Sequence, residues 1–327
     1  MEPLQIDWTL DSANPVIKPG QIHPGLDDNH AGACHVLDLG DKYRIYYWGH
    51  CNGDYLILMA ESSVDSPNDW HPVGGALLEP QPETKHNCGG PSFPYVVPVT
   101  EARWHMYFGA WGTYDESGKL PNCMCLAVSE DAGLTWEYHS RAPNIASDKP
   151  WDSEGTGSVS VMVRDGKFHM YYTSIAEYFD APEGVQTGHG ARIPRIGVAY
   201  AVSDDGINWE KPLDNLMVAP RGFDMEPYEY INSKPFIIRD GDGYRMWIST
   251  FGYAYRIRSL VSDDGIEWTR VPSGPDGDIG IGEKGAFDDI QRSYASVVKH
   301  GDEYRMWFTG NGFGATGMGY ATGRLAK

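Results

Sequence analysis

The residues able to do chemistry fall into five short segments of similar pattern. LDDNHAGACHVL carries Asp27, Asp28 and His30, and NCGGPSFPYVV carries Ser92. WDSEGTGSVSVMV carries Glu154, MEPYEYINSKPFII carries Glu229, and FDDIQRSYASVV carries Asp288, Asp289 and Arg292. Carboxyl groups held at separate points around a pocket suit acid and base work, one giving a proton to a leaving oxygen and another acting from the opposite side. Crowded together, Asp28, Glu154 and Glu229 would also tune one another by repulsion. Arg292 offers bidentate recognition of a carboxylate or phosphate, or a salt bridge with Asp289. His30 beside Asp28 offers a site for a water or a metal, or a satisfied polar pair.

Each segment precedes a second phrase, an aromatic and a polar residue followed by an apolar, aromatic run. The copies are YRIYYWG from Tyr43, WHMYFGA from Trp104, FHMYYTS from Phe168, YRMWIST from Tyr244 and YRMWFTG from Tyr304, at spacings of 61, 64, 76 and 60 residues. Short aromatic, alternating runs read as strands. A third phrase follows the first four copies: AESSVDSPNDW, AVSEDAGLTW, AVSDDGINW and LVSDDGIEW. Its Asp-Gly chemistry reads as strand, tight turn, strand. The fifth copy ends in MGYATG without a closing tryptophan, and Trp8 lies one repeat, 62 residues, before Trp70. A period of this kind marks a repeat architecture. The expectation is an all-β, five-bladed β-propeller of four-stranded blades. It forms one domain over residues 1–327, with residues 1–17 completing the last blade and removing an open edge.

The five leading segments and the turns joining second and third strands then share one face. Trp111, Tyr253 and Asn311 sit in such turns, where aromatic rings would stack on a ligand. Residues 175–195, with His189, Arg192 and Arg195, lengthen the third repeat and read as a loop rising over the pocket.

The formal net charge of −19 argues against nucleic acid and anionic membranes as partners. No apolar run long enough to span a bilayer and no basic–apolar leader is present. The chain reads as soluble and cytoplasmic, with its five cysteines reduced and Cys123 and Cys125 as small buried side chains. No cofactor is expected, a metal near His30 excepted.

Ser129-x-Asp131-x-Gly133-x-x-Trp136, with shorter copies at Ser203–Trp209 and Ser262–Trp268, is similar to the Asp-box turn of sialidases and other propellers. Five repeats, YRMW-type strands and acidic leading segments together resemble the five-bladed glycoside hydrolases, around families 43, 32, 62, 68, 117 and 130. The resemblance implies a glycosidase with Asp28 as base or nucleophile and Glu154 as acid. Glu229, aligned with Glu154, stands as a further acid. Where the families carry a supporting Asp, this chain has Gly89, Gly90 and Ser92. The implied partner is a small-molecule or oligosaccharide substrate, with His30, Ser92, Trp111, Tyr253, Asp289 and Arg292 as contacts. The alternatives are a glycoside phosphorylase, using Arg292, Arg192 and Arg195 for phosphate, or a propeller that binds sugar or serves other chemistry without hydrolysis.

Overall fold

The computed structural model describes residues 3–112, 122–140, 142–224 and 226–326. The architecture is all-β and propeller-like. Strand β1 (Ile6–Leu10) opens the chain. A first antiparallel unit follows in β2 (His30–Asp38), β3 (Lys42–Cys51), β4 (Asp54–Ser63) and β5 (His71–Pro72). The second is β6 (Gly90–Pro98), β7 (Trp104–Trp111), β8 (Asn122–Ser129) and β9 (Glu137–Tyr138). The third is β10 (Gly155–Arg164), β11 (Lys167–Asp180) and β12 (Arg192–Ser203). The fourth is β13 (Ile231–Asp240), β14 (Gly243–Phe251), β15 (Tyr255–Ser262) and β16 (Thr269–Arg270). The last is β17 (Ser293–His300), β18 (Glu303–Thr309) and β19 (Met318–Leu325).

The aromatic phrase forms the second strand of every unit. Strand β1 pairs with β19, Trp8 opposite Gly323 and Leu10 opposite Ala321, so the last unit gains its fourth strand from the start of the chain. The third unit departs from the four-strand expectation. Its outer strand shrinks to one bridge, Val202 to Glu210. Lys211 then turns inward onto Asp152, and Pro212 has no N–H to continue a ladder.

The turn phrases behave alike. Ser129 Oγ accepts the Gly133 N–H at 2.9 Å, and Asp131 Oδ1 accepts those of Leu134 and Thr135 at 3.1 and 2.9 Å. Ser203–Asp205 and Ser262–Asp264 repeat the arrangement. Desolvation works against ionisation of Asp131, but these bonds and the Thr135 hydroxyl outweigh it and bring the carboxyl down to about 2. The tryptophan ending each phrase packs edge-on against an aromatic of the preceding unit: Trp136 on Tyr46, Trp209 on Tyr107 and Trp268 on Tyr171, at 5.9, 5.9 and 6.1 Å. Trp70 of the first unit meets Trp307 of the last in the same way, at 6.0 Å. Aromatic packing between neighbouring units therefore supplies much of the core.

Candidate functional site

All five units contribute to one cavity of about 520 Å³, inside the range of small-molecule sites. Its walls are aromatic. Trp48 lies 5.2 Å from Tyr55 and 5.4 Å from Phe93, and Tyr294 lies 5.4 Å from Tyr255 and 6.3 Å from Phe313. Its deepest lining is hydroxylic: Ser92, Thr156, Ser158, Thr173 and Ser233 all reach it and all are buried. Among the described residues no carboxylate lines it, and Arg192 is its one fixed cation.

A break in the repeat explains where the cavity opens. In the third, fourth and fifth units the sixth residue of the aromatic phrase bears a hydroxyl: Thr173, Ser249 and Thr309. Each accepts an N–H from the first strand of the next unit, namely those of Lys234, Tyr294 and Ala33, at 3.0, 2.8 and 2.9 Å. Those three donors sit at the β-bulge with φ of 48°, 58° and 46°, a left-handed conformation that leaves their N–H outside the ladder. The first and second units place Trp48 and Gly109 at this sixth position. Trp48 packs on the Phe93 ring, and Gly109 leaves open the space a side chain would fill beside Ser92. Both line the cavity. The signal was present in the sequence, at the two copies where the phrase loses its hydroxyl.

The carboxyl-bearing segments do a different job. The residues paired with the fourth position of the aromatic phrase are His35, Tyr95, Ser160, Phe236 and Ser296. Asp27, Asn87, Asp152 and Asp288 each stand eight residues before them, and Glu229 seven. All five are at most 2% exposed. Asp27 accepts the Tyr47 hydroxyl at 2.7 Å, and Asp152 accepts the Tyr172 hydroxyl at 2.9 Å and the Lys211 ammonium at 2.6 Å. Asn87 donates to Gln81 at 3.1 Å, and Asp288 pairs with Arg292 at 2.6 Å. Glu229 lies between Arg270 and Arg221, the latter at 3.2 Å. Asp27, Asp152 and Glu229 thereby fasten their leading loops to strands of the unit, while Asn87 and Asp288 brace theirs from within, because a buried polar group without a partner would be costly. Burial pushes the Asp27 carboxyl up, with the Tyr47 hydrogen bond only partly offsetting it.

The register corrects one alignment. Glu229 lies seven residues before Phe236, whereas Glu154 lies six residues before Ser160 and is a separate, half-buried side chain. Val161 pairs with the third position of the aromatic phrase, at Met170, and Phe236 with the fourth, at Trp247, so the two glutamates are offset by one residue. Glu154 donates its N–H to the Ile175 carbonyl at 2.9 Å, and Asn122 and Thr156 beside it reach the cavity. Asp28 is exposed on the first leading loop, where its Oδ1 accepts the Gly25 N–H at 2.8 Å.

Of the expected contacts, Ser92 and Trp111 line the cavity. His30 stands behind its wall, stacked on Trp48 and with Nδ1 3.1 Å from His50 Nδ1; burial lowers the pKa of both imidazoles. Among the described residues no group of three or more His, Cys, Asp or Glu is placed to hold a metal ion. Arg292 is not paired with Asp289: its Nε binds Asp288, and Nη1 donates to the Ile279 carbonyl. Asp289 instead accepts the Gly285 N–H and the Asn311 amide. Tyr253 is 60% exposed and lines a second, smaller hollow that also holds Glu229.

Residues 175–195 are not a loop throughout. Strands β11 and β12 continue into a hairpin, pairing out to Asp180 opposite Arg192. Tyr178, His189, Arg192 and Pro194 turn to the cavity. His189 also crosses to the fourth unit, bonding the Tyr230 hydroxyl at 2.8 Å and packing on Phe251. Arg195 points away, pairing with Glu177.

No protein-family profile matches the chain. It is 28% identical over 292 residues to the uncharacterized protein Rv1502 of Mycobacterium tuberculosis, covering 86% of this chain and 88% of that one. Among solved structures, a protein described as a glycoside hydrolase superposes with a TM-score of 0.70 at 21% identity, covering 94% and 92% of the two chains. A structure from a study of family 130 of mannoside phosphorylases, described as containing glycoside hydrolases that target β-1,2-mannosidic linkages in Candida mannan, gives 0.70 at 16% identity, covering 98% and 94%. A thermostable family-43 glycoside hydrolase gives 0.60 at 20%, covering 94% and 91%. The chain thus shares the fold of propeller-like glycoside hydrolases. No helix among the described residues is long and apolar enough to cross a membrane.

Proposed function

We propose that this chain is a closed five-bladed propeller enzyme that acts on a glycosidic bond, with the sugar held in the aromatic cavity. Closure is supported by contacts between the first and last units: Ala33 N–H to Thr309 Oγ1, Val36 N–H to Ser296 Oγ, and Trp70 against Trp307. The observation that carries the function is the cavity itself, walled by rings and lined at depth by hydroxyls. The C–H face of a pyranose stacks on an aromatic ring while its hydroxyls exchange hydrogen bonds with Ser and Thr. The structural neighbours described as glycoside hydrolases support the same chemistry.

Glu154 is the acid this reading favours, because it immediately precedes β10 next to cavity-lining residues and is only half buried. Asp28 is its carboxylate counterpart on the first leading loop. Glu229 is engaged by two arginines and lines the second hollow, outside the cavity. A second reading, a propeller that binds glycans without cleaving them, is favoured by the lack of a carboxylate among the described lining residues.

A panel of aryl and unactivated glycosides, assayed with and without inorganic phosphate, tests both. Turnover in water supports hydrolysis, and turnover only with phosphate supports phosphorolysis. Glu154→Gln should lose about 10²–10⁴-fold on unactivated substrates and much less on activated ones, which need little protonation. Sugar binding with no turnover in either arm establishes the binding reading, and full activity of Glu154→Gln on an unactivated glycoside removes Glu154 from the acid role.

A further inference from the structure

Beside the cavity lies a hollow of about 220 Å³, lined by Arg221, Arg256 and Arg258 together with Tyr228 and Tyr253. It opens on the same face. Tyr255 turns to the cavity while Arg256, the next residue along β15, turns to the hollow. The third-unit hairpin arches between them: His189 lines the cavity, and the Tyr228 hydroxyl donates to the Gln186 carbonyl.

The charge of this hollow is unusual for the molecule. The chain carries 26 basic and 45 acidic residues. Here three arginines, 221, 256 and 258, line the hollow beside two carboxylates, Glu229 and Asp276, and Arg270 reaches Glu229. Glu229 is taken up by Arg221 and Arg270. Asp276 meets Arg256 at 3.2 Å from a half-exposed position. Arg258 donates its hydrogen bonds to neutral groups, the Ser273 hydroxyl and the carbonyls of Gly274 and Pro275, while the Glu229 and Asp278 carboxyls act on its charge from nearby. Burial pushes the nearby Asp278 carboxyl up to about 6. Guanidinium groups gathered this way, partly desolvated and under-neutralised, suit a planar or tetrahedral anion held by several N–H donors.

We propose that this hollow is an anion subsite of the binding face, which takes a carboxylate, sulfate or phosphate group carried by an acidic oligosaccharide whose neighbouring sugar occupies the cavity. The sugar part rests on the glycosidic reading above; the anion part does not. Tyr228 and Tyr253 at the hollow supply ring faces for the sugar that bears the acid.

Calorimetric titration of the full chain tests it with three probes: uronic-acid oligosaccharides, their carboxyl-reduced neutral counterparts, and inorganic sulfate. The acidic oligosaccharide should bind about tenfold or more tightly than the neutral one, a difference of ~1.4 kcal/mol. Arg256→Gln should remove most of that preference, and Arg256→Lys should restore part of it. Asp276→Asn removes the carboxylate paired with Arg256 while keeping every arginine in place, so it should tighten acidic ligand and sulfate several-fold. Equal affinity for acidic and neutral oligosaccharides, or an Asp276→Asn variant with unchanged anion affinity, overturns the subsite. Sulfate binding that Asp276→Asn tightens, with neither oligosaccharide bound, keeps the anion subsite and sinks the glycan reading alone.

Discussion

The leading loops and the cavity lie on one face of this molecule but are built on opposite rules. The loops put an acid or amide at nearly the same register in every unit, bury it and give it a fixed partner. The cavity takes in the two copies where the repeat fails, at Trp48 and Gly109, beside Thr173 where it does not, and it draws mainly on rings and hydroxyls. Regularity here marks structure, and departures from it mark the place where a ligand fits. A carboxylate that recurs in each copy of a repeat is more often a fastener than a catalyst, since catalysis at a single axial pocket needs unlike groups from unlike units.

Breaking a fastener should cost stability first. Glu229→Gln leaves Arg221 and Arg270 without their shared counter-charge, and loss of one partner from a buried ion pair costs roughly 3–5 kcal/mol. Urea denaturation of the variant should show a correspondingly lower midpoint; a midpoint matching the parent would mean that Glu229 is not a fastener and would reopen a role at the site.

A fastener is also exchangeable for another that fits. Asn87 stands in the second unit where Asp27 stands in the first, so Asp27→Asn should change stability at pH 7 by no more than about 1 kcal/mol. The pH dependence sharpens this. Burial raises the folded-state pKa of Asp27 above its ordinary value of 3.8. Its proton-bound form therefore adds stability at pH values below the unfolded pKa, and that contribution is lost as pH rises through the folded one. Asp27→Asn should flatten the stability profile in that window above pH ~4, and an unchanged slope would show that the carboxyl titrates normally.

Much of this organisation was legible in the sequence. The aromatic phrase located every second strand, the Asp-Gly phrases located the turns, and the orphan tryptophan at Trp8 anticipated the pairing of β1 with β19. Convergence of all five units on one pocket followed from that order. The identity of the pocket residues did not. Each first strand carries a bulge, and only the pairing shows that Val161 faces the third position of the aromatic phrase and Phe236 the fourth, so equating the two made Glu229 a false counterpart of Glu154. Residues 175–195 read as a loop because they lengthen the third repeat beyond its aromatic strand, although their ends continue as paired strands. Arg292 looked available in sequence and is committed to Asp288, because burial of a guanidinium selects for a partner that no local pattern reveals.

The central claim is that the site opens where the aromatic phrase loses its hydroxyl, and Gly109→Ser tests it most directly. Gly109 does not have a left-handed φ, and a Cβ there would lie 3.3 Å from Ser92 Oγ and 3.4 Å from the Phe93 ring, both side-chain atoms. The variant restores the repeat hydroxyl in the second unit and places it inside the cavity. With glycoside turnover and the urea midpoint measured on the same preparation, the account predicts an unchanged or higher midpoint and a loss of turnover of about tenfold or more, the ~1.4 kcal/mol scale of one spoiled contact. Full turnover with the serine in place would contradict it and move the substrate out of this cavity.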